Sequence, residues 1–254
     1  MYEKELEFLE ITLKSAYQTF AKDKISVSEK AKFDIVTNID CAIECFFKNE
    51  LDKTFPGDRV LGEEYSSKLE LSDRTWILDP IDGTFNFSIG SHLFGLQAAL
   101  WDQGDLQISA LYMPELNEFY CAKNGGGAYC NGEKISVSAR SPESAIISFG
   151  DLPHTRPQDT EDEIKMMRNA QNTVAKLRMY GAASVDFAYL ASGKTEGVVL
   201  YTKNKWDLAP GLLLCKEAGA YCFGVEGGTY NFDRRGIVAC NSQEIFNLIK
   251  ITEK

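Results

Sequence analysis

Residues 76–87 constrain this chain more than any other stretch of its sequence. They read Trp-Ile-Leu-Asp-Pro-Ile-Asp-Gly-Thr-Phe-Asn-Phe, an apolar run that stops at two aspartates and then at a Gly-Thr pair. The apolar residues predict a buried strand, and Pro80 favours a bend directly after Asp79. Gly83 and Thr84 can then open a helix, whose free backbone N–H groups attract an anion such as phosphate. The segment therefore predicts carboxylates for a cation beside donors for a phosphate.

This pattern is too specific to be explained by chance. At ordinary residue usage, a given Asp-Pro-x-Asp-Gly-Thr arises in a chain of this length with a probability on the order of 10⁻⁴. The alternative is purely structural: a strand followed by an Asx turn and a helix cap, in which Asp and Gly only mark the end of the strand. Three other acidic segments bear on that choice.

Two of these segments lie upstream. Glu63 and Glu64 are adjacent and end the short apolar run Val-Leu-Gly, although an isolated Glu pair more often lies in a solvated loop. Asp40 ends a β-branched stretch that begins at Asp34, and its simplest alternative role is the N-cap of a helix.

The third segment lies downstream, around Asp207. By default this residue would be the N-cap of the apolar helix that follows, with Pro210 in its first turn and Gly219 as its terminator. Each structural alternative is reasonable by itself, but four acidic segments in one chain make a shared role more economical.

The charge balance predicts what such acids would bind. A formal net charge of -10 weighs against nucleic acid or an anionic membrane as a partner. Two carboxylates about 4 Å apart repel by roughly 4 kcal/mol at an effective dielectric of ~20. Without a cation the cluster would resist assembly or take up protons. Carboxylate and carbonyl oxygens suit a hard ion such as magnesium.

Histidine and cysteine usage narrows the chemistry further. Only His92 and His154 are present, which leaves little for a phosphohistidine or a zinc site built from two or three histidines. Seven cysteines without a Cys-x-x-Cys pair favour reduced thiols over a zinc cluster. The acidic first residues do not resemble a signal peptide and no transmembrane run is apparent, so a cytoplasmic location is expected.

Hydrophobic spacing predicts the elements of the first half. Leucines and aromatics recur at three- and four-residue intervals from Leu6 to Phe20, as in an amphipathic helix. A second helix is expected from Asp40 to about Phe55. The pattern between Leu93 and Ser138 predicts a continuous antiparallel region, with turns at residues 102–105 and at Asn131-Gly132. The glycines at 125–127 belong to this region because no Gly-Lys-Ser or Gly-Lys-Thr follows them.

Strands and helices alternate from Ala145 onward, which predicts an α/β layer. A helix is expected to open at a Thr160-x-x-Glu163 capping box, and the polar stretch Pro153 to Glu163 is the best candidate for a flexible surface loop. The remaining expected elements are strands at 145–149, 177–180, 197–201 and 236–240 and helices from Ser184, after Asp207 and from Ser242.

Taken in chain order, Asp40, the Glu pair, the Asp-x-x-Asp turn and Asp207 resemble the pattern of the inositol monophosphatase family. The resemblance extends from Lys30 through Asn241. It implies a layered αβαβα sandwich of the sugar-phosphatase type, which mixes α/β and α+β structure. Residues 1–140 would form an α+β half and residues 141–254 an α/β half of one compact unit, usually a homodimer. The implied activity is a magnesium-dependent, often lithium-sensitive hydrolysis of small phosphate esters.

The resemblance also implies the metal ligands. The first magnesium would be held by Glu63, Asp79 and the backbone carbonyl of Ile81, and the second by Asp79, Asp82 and Asp207. A weaker third ion near Glu63 is plausible, and either Lys30 or Lys32 would be the lysine of that region, in a mobile loop.

Catalytic and substrate-binding roles follow from the same resemblance. Thr84, hydrogen-bonded to Asp40, would orient the attacking water, and Glu64 would act through metal-bound water. The backbone N–H groups of Gly83 and Thr84 would hold the phosphate. The remaining substrate-binding positions would be Gly181, Ala182, Ala183, Leu200 and Asp207.

The chain departs from the family pattern on the side of the alcohol. Inositol-preferring members carry a glutamate seven residues before the aspartate at position 207, where this chain has Leu200, which cannot accept a hydrogen bond. Their histidine falls at or next to Ile89, with His92 displaced. Inositol monophosphate is therefore the leading substrate, with fructose-1,6-bisphosphate, histidinol phosphate and nucleoside 3',5'-bisphosphate as alternatives. A regulatory binding protein without catalysis is a further alternative, but it would have no need of mutually repelling acids.

Overall fold

A computed structural model describes residues 1–68, 70–153 and 156–251 of the 254-residue chain. The helices of this part are α1 Glu3–Phe20, α2 Asn38–Thr54, α3 Thr84–Ser88, α4 Pro157–Gln171, α5 Ala183–Ala191, α6 Lys205–Glu217 and α7 Gln243–Ile249. None of these helices is both long enough and apolar enough to span a bilayer. His154 lies outside the described residues.

The larger sheet has seven strands whose spatial order follows the chain. They are β3 Arg59–Gly62, β4 Thr75–Asp82, β5 Gly95–Asp102, β6 Asp105–Met113, β7 Glu118–Lys123, β8 Gly127–Cys130 and β9 Glu133–Ile135. β3 and β4 are parallel, and every later neighbour is antiparallel. The antiparallel region expected between Leu93 and Ser138 is thereby confirmed. A separate hairpin precedes this sheet and consists of β1 Val27–Ala31 and β2 Asp34–Thr37.

The smaller sheet has five strands in the order β11-β10-β12-β14-β13. They are β10 Ile146–Phe149, β11 Lys176–Arg178, β12 Gly197–Leu200, β13 Tyr221–Gly224 and β14 Ile237–Cys240. β10 runs parallel to both of its neighbours, whereas β14 is antiparallel to both of its own. Helices connect the parallel strands, as the alternating pattern after Ala145 predicted.

The helices and sheets form five layers. α1 and α2 cover one face of the larger sheet, with Leu13 and Phe47 in the shared core. α5 and α6 fill the space between the sheets through residues such as Phe187 and Leu208. α4 and α7 cover the outer face of the smaller sheet. The expected αβαβα sandwich is confirmed.

Strand β4, which carries the Asp-x-x-Asp turn, is fully buried and anchored by Trp76. All eight of its residues are buried. Trp76 lies against Phe8 and Phe47 with ring centroids 5.3 and 6.2 Å away, and its indole N–H donates to Asp58 at 2.8 Å. Burial of one such aromatic ring contributes roughly 4–6 kcal/mol as an upper bound. The strand therefore presents its last residues from a rigid base.

Three expected helix starts were wrong, those of α2, α4 and α6. α2 begins at Asn38 with Thr37 as its N-cap, and Asp40 is the third helical residue of a capping box. α4 begins at Pro157, so Thr160 lies inside the helix and donates to the carbonyl of Pro153. A proline at the first helical position has its φ preset and no N–H to satisfy, which favours the earlier start. The stretch expected as a loop from Pro153 to Glu163 is therefore helical from Pro157.

The start of α6 also differs from the expectation. The helix begins at Lys205 with Asn204 in the cap position, so Asp207 lies in its first turn and does not cap it. Pro210 is the sixth helical residue and lies beyond the first turn. Gly219 has φ +93° just after the helix, which confirms it as the terminator. Asp207 is free of a capping role and can face the pocket described below.

Candidate active site

A cavity of about 250 Å³ lies where the ends of β3 and β4 meet the first turns of α3, α5 and α6. Its walls include these residues from the predicted site: Glu63, Asp79, Ile81, Asp82, Gly83, Thr84, Gly181, Ala182, Ala183, Leu200 and Asp207. Asp40, Glu64 and Lys30 do not line the cavity and lie behind or beside its wall. The fold thus brings together residues that are far apart in the sequence.

A bulge in β4 places both aspartates of the turn on this cavity. Asp79 pairs with Gln97 and Asp82 with Gly95, so three steps along β4 match two steps along β5. Side chains three residues apart in a regular strand point to opposite faces, and one extra residue brings them to the same side. The bend predicted at Pro80 therefore lies in the bulge that brings the two carboxylates to the same side of the strand.

Asp79 is the most constrained of these acids. One of its carboxylate oxygens has no hydrogen-bond partner in the described part of the chain, and Gln97 donates to the other at 3.5 Å. Burial raises its pKa well above the usual range, and the charges of Glu63, Asp82 and Asp207 raise it further. A buried, unpartnered oxygen among like charges is chemically suited to a hard divalent cation.

Asp82 connects the wall of the pocket that comes from β4 to the wall that comes from α5. It accepts hydrogen bonds from the backbone N–H groups of Ala183 at 3.2 Å and Ser184 at 2.6 Å, and from the Ser184 hydroxyl at 2.5 Å. Burial raises its pKa, although the bonds from Ser184 and Ala183 act in the opposite direction. The carboxylate thus satisfies the first free N–H groups of α5 and fixes that helix against β4.

The Gly-Thr pair turns the chain sharply after β4. Gly83 has φ +85°, and a Cβ there would lie 2.9 Å from the Cβ of Ala182, so both conformation and space require glycine. The Thr84 hydroxyl lies 3.2 Å from Asp40 and 3.0 Å from the carbonyl of Ile81. The hydroxyl is therefore held between two acceptors.

Asp40 is buried behind Thr84. Burial raises the pKa of Asp40, whereas its hydrogen bonds from the hydroxyl and the backbone N–H of Thr37 lower it. Because the capping box fixes this carboxylate on α2, the Thr84 contact links the first helical layer to the pocket.

Lys30 occupies the space beside the Glu pair. Its ammonium lies 2.7 Å from Glu63 and 3.0 Å from Glu64. Burial lowers the pKa of Lys30, but the two carboxylates raise it, and the net pKa lies above the usual value. Lys30 belongs to strand β1 and not to a loop, while Lys32 faces the ring of Phe33 instead. No three His, Cys, Asp or Glu side chains in the described ranges have the spacing of a complete metal site.

Glu44 supports the Glu pair and was not expected from the sequence. This fully buried carboxylate on α2 accepts the backbone N–H groups of Glu64 at 2.8 Å and Tyr65 at 3.1 Å. A side chain at position 62 would collide with it, so Gly62 is required. Its position four residues after Asp40 on one helix face was the available signal.

The opposite side of the cavity holds the other predicted substrate positions. Asp207 is partly exposed and accepts a hydrogen bond from the Thr202 hydroxyl at 2.9 Å. Burial, with the charges of Glu63 and Asp82, raises its pKa well above the usual range. Leu200, at the end of β12, presents an apolar surface with 5% of its area exposed.

Two acidic cavity residues of the second half were not predicted from the sequence. Asp151 follows strand β10, and Asp186 is the only charged residue of helix α5. The rule that directed attention to Asp79, an acid directly after an apolar strand, also applies to Asp151. A single acid within an otherwise apolar helix is a comparable signal.

The five-layered fold, with an acid-lined pocket between its two sheets, defines a hydrolase of the sugar-phosphatase class. The chain belongs to the inositol monophosphatase family, whose sequence model matches residues 7–254. Members of this family are phosphatases and are generally metal dependent.

Individual relatives agree with this assignment. An inositol-1-monophosphatase of Mesorhizobium japonicum is 34% identical over 232 residues, which are 91% of this chain and 87% of the relative. A fructose-1,6-bisphosphatase/inositol-1-monophosphatase of Thermotoga maritima is 31% identical over 90% of this chain and 87% of its own. The crystal structure of the extragenic suppressor protein suhB from Bartonella henselae superposes with a TM-score of 0.87 at 30% identity, covering 97% of each chain.

Proposed function

We propose that this chain hydrolyses phosphate monoesters of small polyols with bound Mg²⁺, and that inositol 1-phosphate is its leading substrate. The observation that carries the proposal is the meeting of Glu63, Asp79, Asp82 and Asp207 at one cavity with the Gly83-Thr84 turn. We call these four acids the carboxylate cluster.

The carboxylate cluster and the carbonyl of Ile81 would hold the magnesium ions, with Asp79 shared between two of them. Bound Mg²⁺ would supply a water of lowered pKa and neutralise charge on the phosphate. The unpartnered oxygen of Asp79 supports this assignment because a buried carboxylate oxygen without a donor is costly unless a cation meets it. The Lys30 ammonium supports it as well, since it already places one positive charge on Glu63 and Glu64, the region of the third ion.

The protein's own groups would then position the water and the ester. The Thr84 hydroxyl, held near Asp40, would orient the water for in-line attack on phosphorus and pass its proton toward that carboxylate. The backbone N–H groups of Gly83 and Thr84 would bind phosphate oxygens. The segment Gly181 to Ala183, close against Gly83, would form the facing wall. The ester P–O bond breaks, and the alcohol leaves beside Leu200 and Asp207.

A second substrate class is favoured by a specific feature of the structure. A further cavity of about 450 Å³ shares Tyr201, Thr202 and Asn204 with the active-site cavity, and Arg156, Lys203 and Arg235 line it. Guanidinium and ammonium groups beside the active-site cavity would suit a second phosphate, although Arg156 and Arg235 both form ion pairs with Asp159. Fructose-1,6-bisphosphate is therefore the second candidate, in agreement with the name of the Thermotoga maritima relative.

Phosphate release from a panel of esters, with and without magnesium, tests the proposal. We expect turnover only with magnesium and the highest kcat/KM for inositol 1-phosphate or fructose-1,6-bisphosphate. No release from any ester would overturn the proposal and favour a binding protein. The same preparation tests two further family expectations, a homodimer by sedimentation and inhibition by lithium.

A further inference from the structure

One hydroxyl group is directed at Asp207 from outside the carboxylate cluster. Thr202 lies in the short loop between β12 and α6, and its hydroxyl donates to Oδ2 of Asp207 at 2.9 Å. Both residues line the active-site cavity. Within the described part of the chain, this is the one hydrogen bond of normal geometry that the Asp207 carboxylate accepts. Burial raises the pKa of Asp207, and the nearby side chains of Thr202 and Asn204 act in the opposite direction.

The direction of the Thr202 hydroxyl is fixed by a partner of its own. The backbone N–H of Asn204 donates to the Thr202 oxygen at 3.1 Å, which leaves the hydroxyl hydrogen for an acceptor. A hydroxyl that accepts from the backbone two residues later forms the ST turn found in many loops. The loop therefore holds the hydroxyl in the orientation in which it donates to Asp207.

Asp82, which would share a cation with Asp79 and Asp207, is held differently. We call the place where these three acids would hold that ion the second cation site. Backbone N–H groups of α5 donate to both oxygens of Asp82, from Ala183 at 3.2 Å and from Ser184 at 2.6 Å. The Ser184 hydroxyl donates to an oxygen that already has a donor. Asp82 thus stays oriented without a side-chain hydroxyl, whereas Asp207 depends on its neighbour in the loop.

The bond from Thr202 leaves one oxygen of Asp207 for a cation. The hydroxyl occupies Oδ2, while Oδ1 accepts no hydrogen bond from the described residues. Mg²⁺ demands near-ideal octahedral geometry, whereas Ca²⁺ takes more ligands and accepts a carboxylate through one oxygen or through both. A carboxylate that offers a single oxygen in a fixed direction therefore suits Mg²⁺ better than Ca²⁺.

We propose that Thr202 is the positioning residue of Asp207 and that its hydroxyl makes the second cation site prefer Mg²⁺ to Ca²⁺. This inference rests on the proposed function, since it concerns an ion that the phosphatase would bind. It assigns a role to a residue outside the set of metal ligands. Thr202 would act through Asp207, and not on the ester or the attacking water. Hydrogen-bonding partners of metal ligands typically contribute roughly 10- to 100-fold to metal affinity.

Calorimetric titration of the metal-free protein with Mg²⁺, and separately with Ca²⁺, tests this role without substrate. The binding event that disappears in D207N identifies the second cation site. T202V keeps the shape of the side chain but lacks the hydroxyl. In this variant we expect the Mg²⁺ affinity of the site to fall by about tenfold and the Ca²⁺ affinity by no more than about threefold. Equal losses for the two ions, no loss for Mg²⁺, or a D207N variant that lacks no binding event would overturn the proposal.

Matched variants separate positioning from a general structural effect. T202S retains the hydroxyl and should keep the Mg²⁺ to Ca²⁺ affinity ratio of the wild type, and T202A gives the same test as T202V if T202V fails to fold. S184A leaves the two backbone donors on Asp82, so it should change the ratio less than T202V does. T19V removes a hydroxyl from an exposed residue on α1 and is the control, with an unchanged ratio. A loss in T202S as large as that in T202V would assign the effect to packing and contradict the proposal.

Phosphate release by the same proteins separates failure of this proposal from failure of the phosphatase function. T202V should need about tenfold more Mg²⁺ for half of its maximal rate, while the rate at saturating Mg²⁺ changes little. If the wild type hydrolyses an ester but the affinity ratio is unchanged in T202V, only the role of Thr202 is overturned. If no ester is hydrolysed but T202V loses Mg²⁺ selectively, the role of Thr202 is supported and the phosphatase function alone fails.

Discussion

The two walls of the active-site cavity are both acidic, but they are built differently. Most acids of the carboxylate cluster have assigned partners: Asp82 accepts three hydrogen bonds, Glu63 contacts Lys30, and Asp207 accepts one from Thr202. On the opposite wall, formed by Asp151 and Asp186 with Glu163 behind them, Asp186 and Glu163 accept none from the described part of the chain.

This difference shows how a protein can use the same functional group for two tasks. Donors around a carboxylate fix its direction, which suits a ligand whose position must be defined to a fraction of an ångström. A buried carboxyl group without donors instead tends to keep its proton, and burial accordingly raises the pKa of Asp186 and of Glu163. Asp79, in the first wall, is intermediate. Gln97 donates to one of its oxygens, and the other has no partner in the described part of the chain. The comparison therefore distinguishes carboxylates suited to hold the proposed magnesium ions from buried carboxyl groups that keep their protons.

The largest effect is expected from D79N, which tests the assignment of the first wall. Replacing this carboxylate should weaken metal binding and lower kcat/KM by about 10³ or more for every ester. The metal-free fold should lose nothing, because the substitution removes a buried group that its neighbours repel. Phosphate release and thermal unfolding without magnesium measure both effects. D52N, at an exposed site on α2, is the control. Magnesium-dependent turnover near the wild-type value would contradict the assignment.

A smaller loss is expected from T84A. If the hydroxyl orients the water, kcat should fall by about 10² with KM nearly unchanged, since the interaction matters only in the transition state. T84S retains the hydroxyl and should keep most of the activity. Steady-state kinetics of the three proteins decides the role. A change confined to KM would make Thr84 a phosphate-binding residue.

An intermediate test concerns Leu200, which lines the same cavity. L200Q should raise kcat/KM for inositol 1-phosphate, relative to an ester without ring hydroxyls, by up to about tenfold because it adds a hydrogen-bonding group. L200E should gain less, because its carboxylate would be placed near Asp151 and Asp186, which share the cavity wall. Both ratios are measured on the same substrates. Unchanged ratios in both variants would show that residue 200 does not contact the alcohol.

The smallest effect is a change in stability from E163Q. The folded pKa of Glu163 is about 8 against an ordinary value of 4.5, so its contribution to stability is present below pH 4.5 and is lost as pH rises through 8. The glutamine variant lacks this loss. Its Tm relative to the wild type should therefore rise between pH 4.5 and 8 by roughly a few degrees.

Thermal unfolding across that pH range, without magnesium or substrate, provides the measurement. E161Q is the matched control on the same helix and should show no such trend. A Tm difference that is independent of pH would mean that Glu163 is not held as a buried, unpartnered acid.

The residues of the first wall could be predicted from the sequence because they are contiguous or lie at strand ends. Asp79, Asp82 and Thr84 fall within six residues, and the apolar run before them predicts where they lie. From the sequence, the bulge that pairs the aspartates could be predicted only as a bend at Pro80. The pairing register of β4 with β5 was needed to show that the bulge brings both side chains to the same side.

The acids of the second wall come from three separate elements, so the local signals at Asp151 and Asp186 gave no indication that the side chains meet. Glu163 illustrates the problem. Its spacing from Thr160 matched a capping box, yet Pro157 starts the helix earlier and the Glu163 side chain is buried toward Asp186. A second local rule, a proline at the first helical position, therefore overrode the capping-box spacing. Leu200 could be placed by counting from Asp207, since β12 and α6 are separated by only a short loop.

The contact between Asp82 and Ser184 spans 102 positions of the chain. During synthesis, the carboxylates of β4 are complete long before the N-terminus of α5 and Asp207 have left the ribosome. The repelling acids are therefore brought together only when most of the chain can fold around them. The order of translation thus delays the appearance of a charged, metal-seeking pocket until the helices that enclose it exist.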